Sequence, residues 1–168
     1  MKNPVPLSNA NLLKLSNDLL ERGTSIRFRV KGFSMRPFIR DGDFIIVAPV
    51  ENSSISLGDV VFFFSDDDQV IVHRVIRKYK SNGGISMMVK GDATFGLPDK
   101  VDSRNILGKV VVIERNGHIK NLNTKFYRTL NLLFAVISPF SHMTYSIGSK
   151  ANLVVKFLSS FPKRISRK

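Results

Sequence analysis

The chain has 168 residues, and its 26 basic and 13 acidic side chains give a formal net charge of +13 at pH 7. A hydrophobic share of 43% with 13 phenylalanines excludes a wholly disordered chain. The sequence contains no cysteine, which excludes disulfide bonds, thiolate metal sites and a cysteine nucleophile. A chain of this length supports one main hydrophobic core rather than two large ones.

The positive charge lies at the two ends of the chain. Residues 1–40 hold eight basic and two acidic side chains, residues 41–114 hold eight and eleven, and residues 115–168 hold ten and none. A core of net charge −3 between flanks of +6 and +10 predicts that the flanks meet an anionic partner. Either a phospholipid surface or a nucleic acid would fit, and a solvated basic tail is the alternative.

Residues 1–25 lack the long apolar run of a secretory leader or a membrane anchor. Leu12, Leu15 and Leu19, with Leu13 and Leu20, recur at the three- and four-residue spacing of a helix. They predict a short N-terminal amphipathic helix that ends near Gly23. Packing against the core is the ordinary explanation for such a stripe.

Residues 26–122 have the pattern of a β domain. Short apolar runs alternate with clusters of Gly, Asp, Asn and Ser, which accept turn geometry. We therefore predict a mainly β, antiparallel core, with a two-residue hairpin at Asn116-Gly117. The predicted strands cover residues 26–30, 44–48, 60–64, 70–76, 86–89, 106–114 and 119–122.

Residues 123–168 predict a basic helical C-terminal extension, with two helices broken near Pro139 or Gly148. A membrane-spanning helix needs about 20 predominantly apolar residues, and only residues 132–137 are continuously apolar here. An amphipathic segment lying in a membrane interface is the better interpretation.

A hydrolase without a thiol needs a hydroxyl nucleophile and a neighbouring base. Of the three histidines, His118 and His142 have surface or packing roles by default. His73 interrupts the apolar strand at residues 70–76, where an imidazole must find a hydrogen-bond partner. Taken alone, His73 is more often a structural residue than a base.

Five motifs change that interpretation. Residues 32–43 follow the pattern G-x-S-M-x-P-x-x-x-x-G-D, and residues 57–63 read L-G-D-V-V-F-F. Residues 72–75 read V-H-R-V, residues 90–92 read K-G-D, and residues 106–110 read I-L-G-K-V. In this order and spacing they resemble the superfamily of type I signal peptidases and LexA-like serine peptidases, over about residues 26–114.

The resemblance implies that Ser34 is the nucleophile and that His73 is the general base, where most relatives have Lys. This is the Ser-His pattern of the endoplasmic-reticulum and archaeal signal peptidases. Such relatives place an acid shortly after the K-G-D motif, and we favour Asp99 for it, with Asp92 and more remotely Asp102 as alternatives. Gly32, Met35 and Pro37 flank the nucleophile as its expected substrate and oxyanion side, where backbone N–H groups would hold the oxyanion.

The implied function is a serine endopeptidase that cleaves an extended, signal- or leader-type peptide without a metal or other cofactor. Because no N-terminal transmembrane anchor is predicted, we expect the basic C-terminal extension to bind an anionic membrane surface. A soluble cytoplasmic protein is the alternative localisation. A catalytically silent module at the membrane and a basic nucleic-acid-binding regulator are the alternative functions.

Overall fold

The computed structural model of the chain describes residues 9–65, 69–81 and 84–137. Helix α1, Asn9–Glu21, ends where Gly23 adopts a φ of +80°. There the N–H of Thr24 donates to the Leu19 carbonyl and that of Gly23 donates to the Leu20 carbonyl, the Schellman arrangement. The predicted helix end is confirmed. The buried face of α1 is set by Leu20 and Ser16, whereas Leu15 of the predicted apolar stripe is exposed.

Within the described residues, eight strands form one antiparallel sheet, which confirms the predicted mainly β fold. Their order in the sheet is β1-β2-β7-β3-β4-β5-β6, and β8 pairs with β7 beside that path. Short 3₁₀ turns at Asn52–Ser54 and Ser103–Asn105 precede β3 and β7. The strands are β1 Ile26–Arg29, β2 Phe44–Ala48, β3 Val60–Phe64, β4 Val70–Ser81, β5 Gly84–Lys90, β6 Asp99–Asp102, β7 Ile106–Arg115 and β8 His118–Asn121.

Strand β3 is buried on both faces, which explains its continuous apolar sequence. Val60 and Phe62 belong to a core cluster with the residues around β1 and β2. Val61 and Phe63 belong to a second cluster formed with β4, β5 and β6. The sheet therefore separates two apolar cores, and β3 contributes to both.

The hairpin between β7 and β8 has the predicted two-residue turn. Arg115 pairs with His118, and Asn116 and Gly117 adopt φ values of +50° and +77°. Both values are positive, as a type I′ turn requires, so this prediction is confirmed.

Helix α2, Lys125–Ile137, packs on the sheet through Tyr127, Leu130 and Phe134. Thr124 caps it, because its Oγ1 accepts a hydrogen bond from the Tyr127 N–H at 3.4 Å. Residues 138–168 of the predicted basic extension, including His142, lie outside the described residues. Within the described part of the chain, no helix is long and apolar enough to cross a membrane.

The backbone of α2 lies directly against Gly58. A Cβ built on Gly58 would come within 2.9 Å of the Asn131 carbonyl carbon and of the Leu132 nitrogen. This distance is too short for a carbon contact, so only glycine lets the helix lie this close to the loop before β3.

We predict that Gly58→Ala lowers the free energy of unfolding by about 3 kcal/mol or more, because α2 must move and the positive φ is strained. Gly23→Ala is the matched control: its φ is also positive, but a Cβ there has nothing within 4 Å. Gly23→Ala should lower the free energy of unfolding by only about 1 kcal/mol. Urea unfolding measures both, and equal losses would show that the close approach of α2 is unimportant.

Candidate active site

Ser34 lies in the loop that connects β1 to β2, and buried side chains hold this loop in place. Gly32 has a φ of +107°, and its N–H donates to Asp41 Oδ1 at 2.9 Å. The Ile39 N–H donates to the Met35 carbonyl at 2.9 Å, and both of these side chains are buried in the core. Because the Gly32 N–H is already paired, it is not free to donate to an oxyanion.

The turn after β5 packs directly on Ser34. The Ala93 N–H donates to the Ser34 carbonyl at 2.7 Å. A Cβ on Gly91 would lie 2.7 Å from that carbonyl oxygen and 3.0 Å from the Ser34 Cβ. The glycine of the K-G-D motif therefore leaves room for the serine, and the residues on both sides of Asp92 contact it.

His73 lies on β4 opposite Val61 of β3, with its ring centre 6.1 Å from that of Phe63. Its Nδ1 is 3.3 Å from Asp99 Oδ2, but this contact does not have hydrogen-bond geometry, and Nδ1 has no hydrogen-bond partner among the described residues. Such pairs often tighten only when substrate is bound.

Burial lowers the pKa of His73 below its ordinary 6.5, although the negative charges of Asp99 and then Asp92 oppose this effect. The imidazole is therefore neutral at pH 7. A neutral imidazole is the form that can accept a proton.

The three candidate acids have different partners, and Asp102 is bound to the neighbouring Arg104. Both Asp92 oxygens bind the Arg74 guanidinium, at 2.7 Å from Nε and 2.7 Å from Nη2, and both side chains are almost fully buried. Asp99 instead is half exposed and faces the imidazole. Of the three, only Asp99 has a carboxylate oxygen within 4 Å of the His73 imidazole.

Ser34 and His73 line the same groove, which has a volume of about 620 Å³. Arg29, Lys31 and Gln69 contribute polar groups to it. Gly32 and Met35 also line it, whereas Pro37 lines a separate pocket with Phe38. The remaining lining residues are apolar: Phe28, Val30, Ile39, Ile45, Phe62, Val70, Ile71 and Val72.

The sequence analysis missed two residues that support this site. Arg74 entered only as the third letter of the V-H-R-V motif, and Asn131 was not singled out. Their contact joins α2 to β4, since Arg74 Nη1 donates to Asn131 Oδ1 at 2.8 Å. A polar side chain among the apolar residues of a helix was the available signal.

We predict that Asp99→Asn lowers the pKa of His73 further, because the carboxylate charge that favours imidazolium is lost while burial remains. NMR titration of the imidazole measures this pKa, with the resonance assigned by its absence in His73→Gln. Asp102→Asn, on the same strand, should leave the titration unchanged. A rise, or no change, in the pKa of the Asp99 variant would contradict the pairing.

Neither a metal site nor a curated relative accompanies this arrangement of side chains in the described residues. No group of three His, Asp or Glu residues in the described ranges could hold a metal ion. No curated protein matches the chain. A family model, peptidase S24-like, matches residues 7–111, a segment that contains Ser34, His73 and all three candidate acids. Because this match covers more than half of the sequence, the chain belongs to the peptidase S24-like family.

Proposed function

We propose that this chain is a serine endopeptidase of the Ser-His, signal-peptidase-like type. The observation that carries the proposal is one groove lined by both Ser34 and His73, with an Asp99 carboxylate oxygen 3.3 Å from the imidazole Nδ1. A hydroxyl, a neutral base and an acid behind that base form the general arrangement of a serine hydrolase.

In the proposed reaction, His73 Nε2 takes the proton of Ser34 Oγ while Oγ attacks the carbonyl carbon of a peptide bond. Asp99 steadies the imidazolium that forms. The tetrahedral intermediate collapses as the imidazolium gives its proton to the leaving amine, and an ester to Ser34 remains. Water, deprotonated by His73, then attacks this ester, and Ser34 recovers its proton as the acid product leaves.

The oxyanion requires N–H donors near Ser34. The Ser34 N–H is our candidate, since the Gly32 N–H is paired with Asp41. Asp92 is bound to Arg74 through both oxygens, so we assign it a structural role.

The substrate we propose is an extended peptide with small side chains near the cut, as the resemblance to signal peptidases implies. Among the described strands, β1 pairs only with β2, which leaves its other edge available for a substrate strand. Phe28 and Val30, on and just after β1, line the groove together with Val70 and Val72 of β4. These apolar walls suit the apolar side chains of a leader-type peptide.

We predict that Ser34→Ala and His73→Gln each reduce peptide cleavage by about 10³-fold or more. Mass spectrometry of leader-type peptides incubated with the full chain measures the loss. Ser54→Ala and His118→Gln change an exposed serine and an exposed histidine and should retain activity. Undiminished cleavage by either site variant would contradict the mechanism, and a wild-type chain that cleaves nothing would favour a catalytically silent module.

We further propose that the chain binds an anionic membrane surface, and that α2 forms part of the contact. The outward face of this helix is apolar: Phe126 is 67% exposed, Val136 55% and Ile137 57%. Exposed Lys125 and Arg128 flank this face. Exposed apolar residues beside basic ones are typical of helices that lie in a membrane interface.

A cationic pocket lies next to this face and favours a negatively charged bilayer. Phe126 and Tyr127 form part of its wall, and Arg40, Arg115 and Lys120 stand around it, in a volume of about 260 Å³. Burial lowers the pKa of Lys120, and the charges of Arg115 and Arg40 lower it further, although Asp43 opposes them. Because Arg115 is already paired with Asp43, Arg40 and Lys120 are the cations that an anionic headgroup would meet here.

We predict that the full chain sediments with vesicles of phosphatidylcholine mixed with phosphatidylglycerol, and much less with phosphatidylcholine alone. Lys125→Glu with Arg128→Glu, or Phe126→Ser with Val136→Ser, should weaken binding several-fold, since each pair removes one component of the contact. Point variants are preferred to truncation at residue 123, which would remove α2 from the core.

The matched controls are Lys14→Glu and Leu15→Ser, which change exposed residues of the other helix. Both should bind vesicles as the wild type does. Equal binding to neutral vesicles, or no effect of the α2 variants, would contradict the proposal. Salt-sensitive binding to duplex DNA without vesicle binding would favour the nucleic-acid regulator instead.

A further inference from the structure

Helix α2 follows the segment that the family model matches, yet it contacts the residues that support the nucleophile. Asn131 is buried in the interface between α2 and the sheet, and its Oδ1 accepts a hydrogen bond from Arg74 Nη1 at 2.8 Å. We infer that Asn131 is a positioning residue for the active site, and that it acts through Arg74 and Asp92 on Ser34.

The first step is the orientation of the guanidinium. Arg74 Nη1 also donates to the Gly58 carbonyl at 2.8 Å, while Nε and Nη2 bind Asp92. The Phe38 and Phe134 rings lie 4.5 and 5.3 Å from its central carbon. A planar guanidinium has donors in fixed directions, so the acceptors on Nη1 set how its other edge meets Asp92.

The second step leads from Asp92 to Ser34. The residues on either side of Asp92 contact the nucleophile: Ala93 by a hydrogen bond to the Ser34 carbonyl, and Gly91 by close packing. A displacement of Asp92 therefore moves the surface on which Ser34 rests. Asp92 also acts on the imidazole of His73 through its charge.

A packing role alone does not explain an asparagine at this position. The nearby buried residue on the same face of α2 is Ala135, and the partly buried residues around it are apolar. A buried carboxamide is costly unless its polar atoms are bonded. Leucine has a similar size and would fill the space without that cost, but it has no acceptor for Arg74.

The test compares Asn131→Leu, which keeps the branched shape and removes the acceptor, with Asn131→Asp, which keeps an acceptor oxygen. The kinetic half rests on the proposed peptidase function. We expect Asn131→Leu in the full chain to lower kcat about tenfold, the scale of one hydrogen bond to a charged group. KM should be unchanged, because Asn131 does not line the groove.

Asn131→Asp should stay within about threefold of the wild-type kcat, since its oxygen still accepts from Arg74. Thr129→Ala, an exposed change on the same helix, should have no effect. If α2 only packs, the order reverses: leucine is tolerated and the buried carboxylate is harmful. That reversal, or wild-type kcat in Asn131→Leu, would overturn the inference.

A second measurement does not depend on activity. In ¹⁵N NMR spectra of the folded variants, Asn131→Leu should shift the Arg74 Nε–H and Ser34 amide resonances, and Asn131→Asp should leave both near their wild-type positions. If these shifts occur while the wild type cleaves no peptide, the proposed function fails and the positioning role stands. An unmoved Ser34 amide in Asn131→Leu would refute the positioning role whether or not the chain is a peptidase.

Discussion

A fully buried guanidinium, that of Arg74, is the group on which the rest of the structure depends. Burying a charge costs several kcal/mol unless nearby groups compensate it. The compensation comes from three distant parts of the chain: the Gly58 carbonyl before β3, the Asp92 carboxylate after β5, and the Asn131 amide on α2. The chain reaches a low free energy only when all three meet at Arg74. The contact between Arg74 and Asp92 also places the turn after β5 against Ser34.

Most of the fold follows from local patterns in the sequence. Apolar runs bounded by turn residues predict β2 and β3 with their observed ends, and Asn116-Gly117 predicts the last hairpin. Strand β6 was missed because Asp99–Asp102 contains one apolar residue and forms only by pairing with β5. Strand β4 extends to Ser81 for the same reason, since its second half is polar and is held by β5. Tertiary pairing of this kind leaves no periodic signal in the strand itself.

The candidate site likewise contains residues that local motifs predict and residues that only tertiary contacts reveal. Ser34 and His73 were identifiable because their motifs are local, each within a few residues. Asn131 was not, because a polar residue in an apolar helix has two interpretations. It can interrupt a membrane-facing stretch, or it can form a hydrogen bond with a buried partner. Only the position of Arg74, 57 residues earlier in the chain, distinguishes them. Leu15 is the opposite case: it is an apolar residue at helical spacing, yet it is exposed, whereas the neighbouring polar Ser16 is buried.

Strand geometry explains why the proposed base and the structural cation are neighbours in sequence. Successive side chains of a strand point to opposite faces, so His73 approaches Phe63 while Arg74 lies against Phe38 and Phe134. A shift of one residue in the pairing of β3 with β4 would exchange the two faces. It would bury the imidazole among the acceptors of Arg74 and point the guanidinium toward Asp99. The pairing of Val61 with His73, with β3 buried on both faces, opposes this shift. The burial of β3 therefore holds the imidazole at the groove, although no residue of that strand takes part in the proposed chemistry.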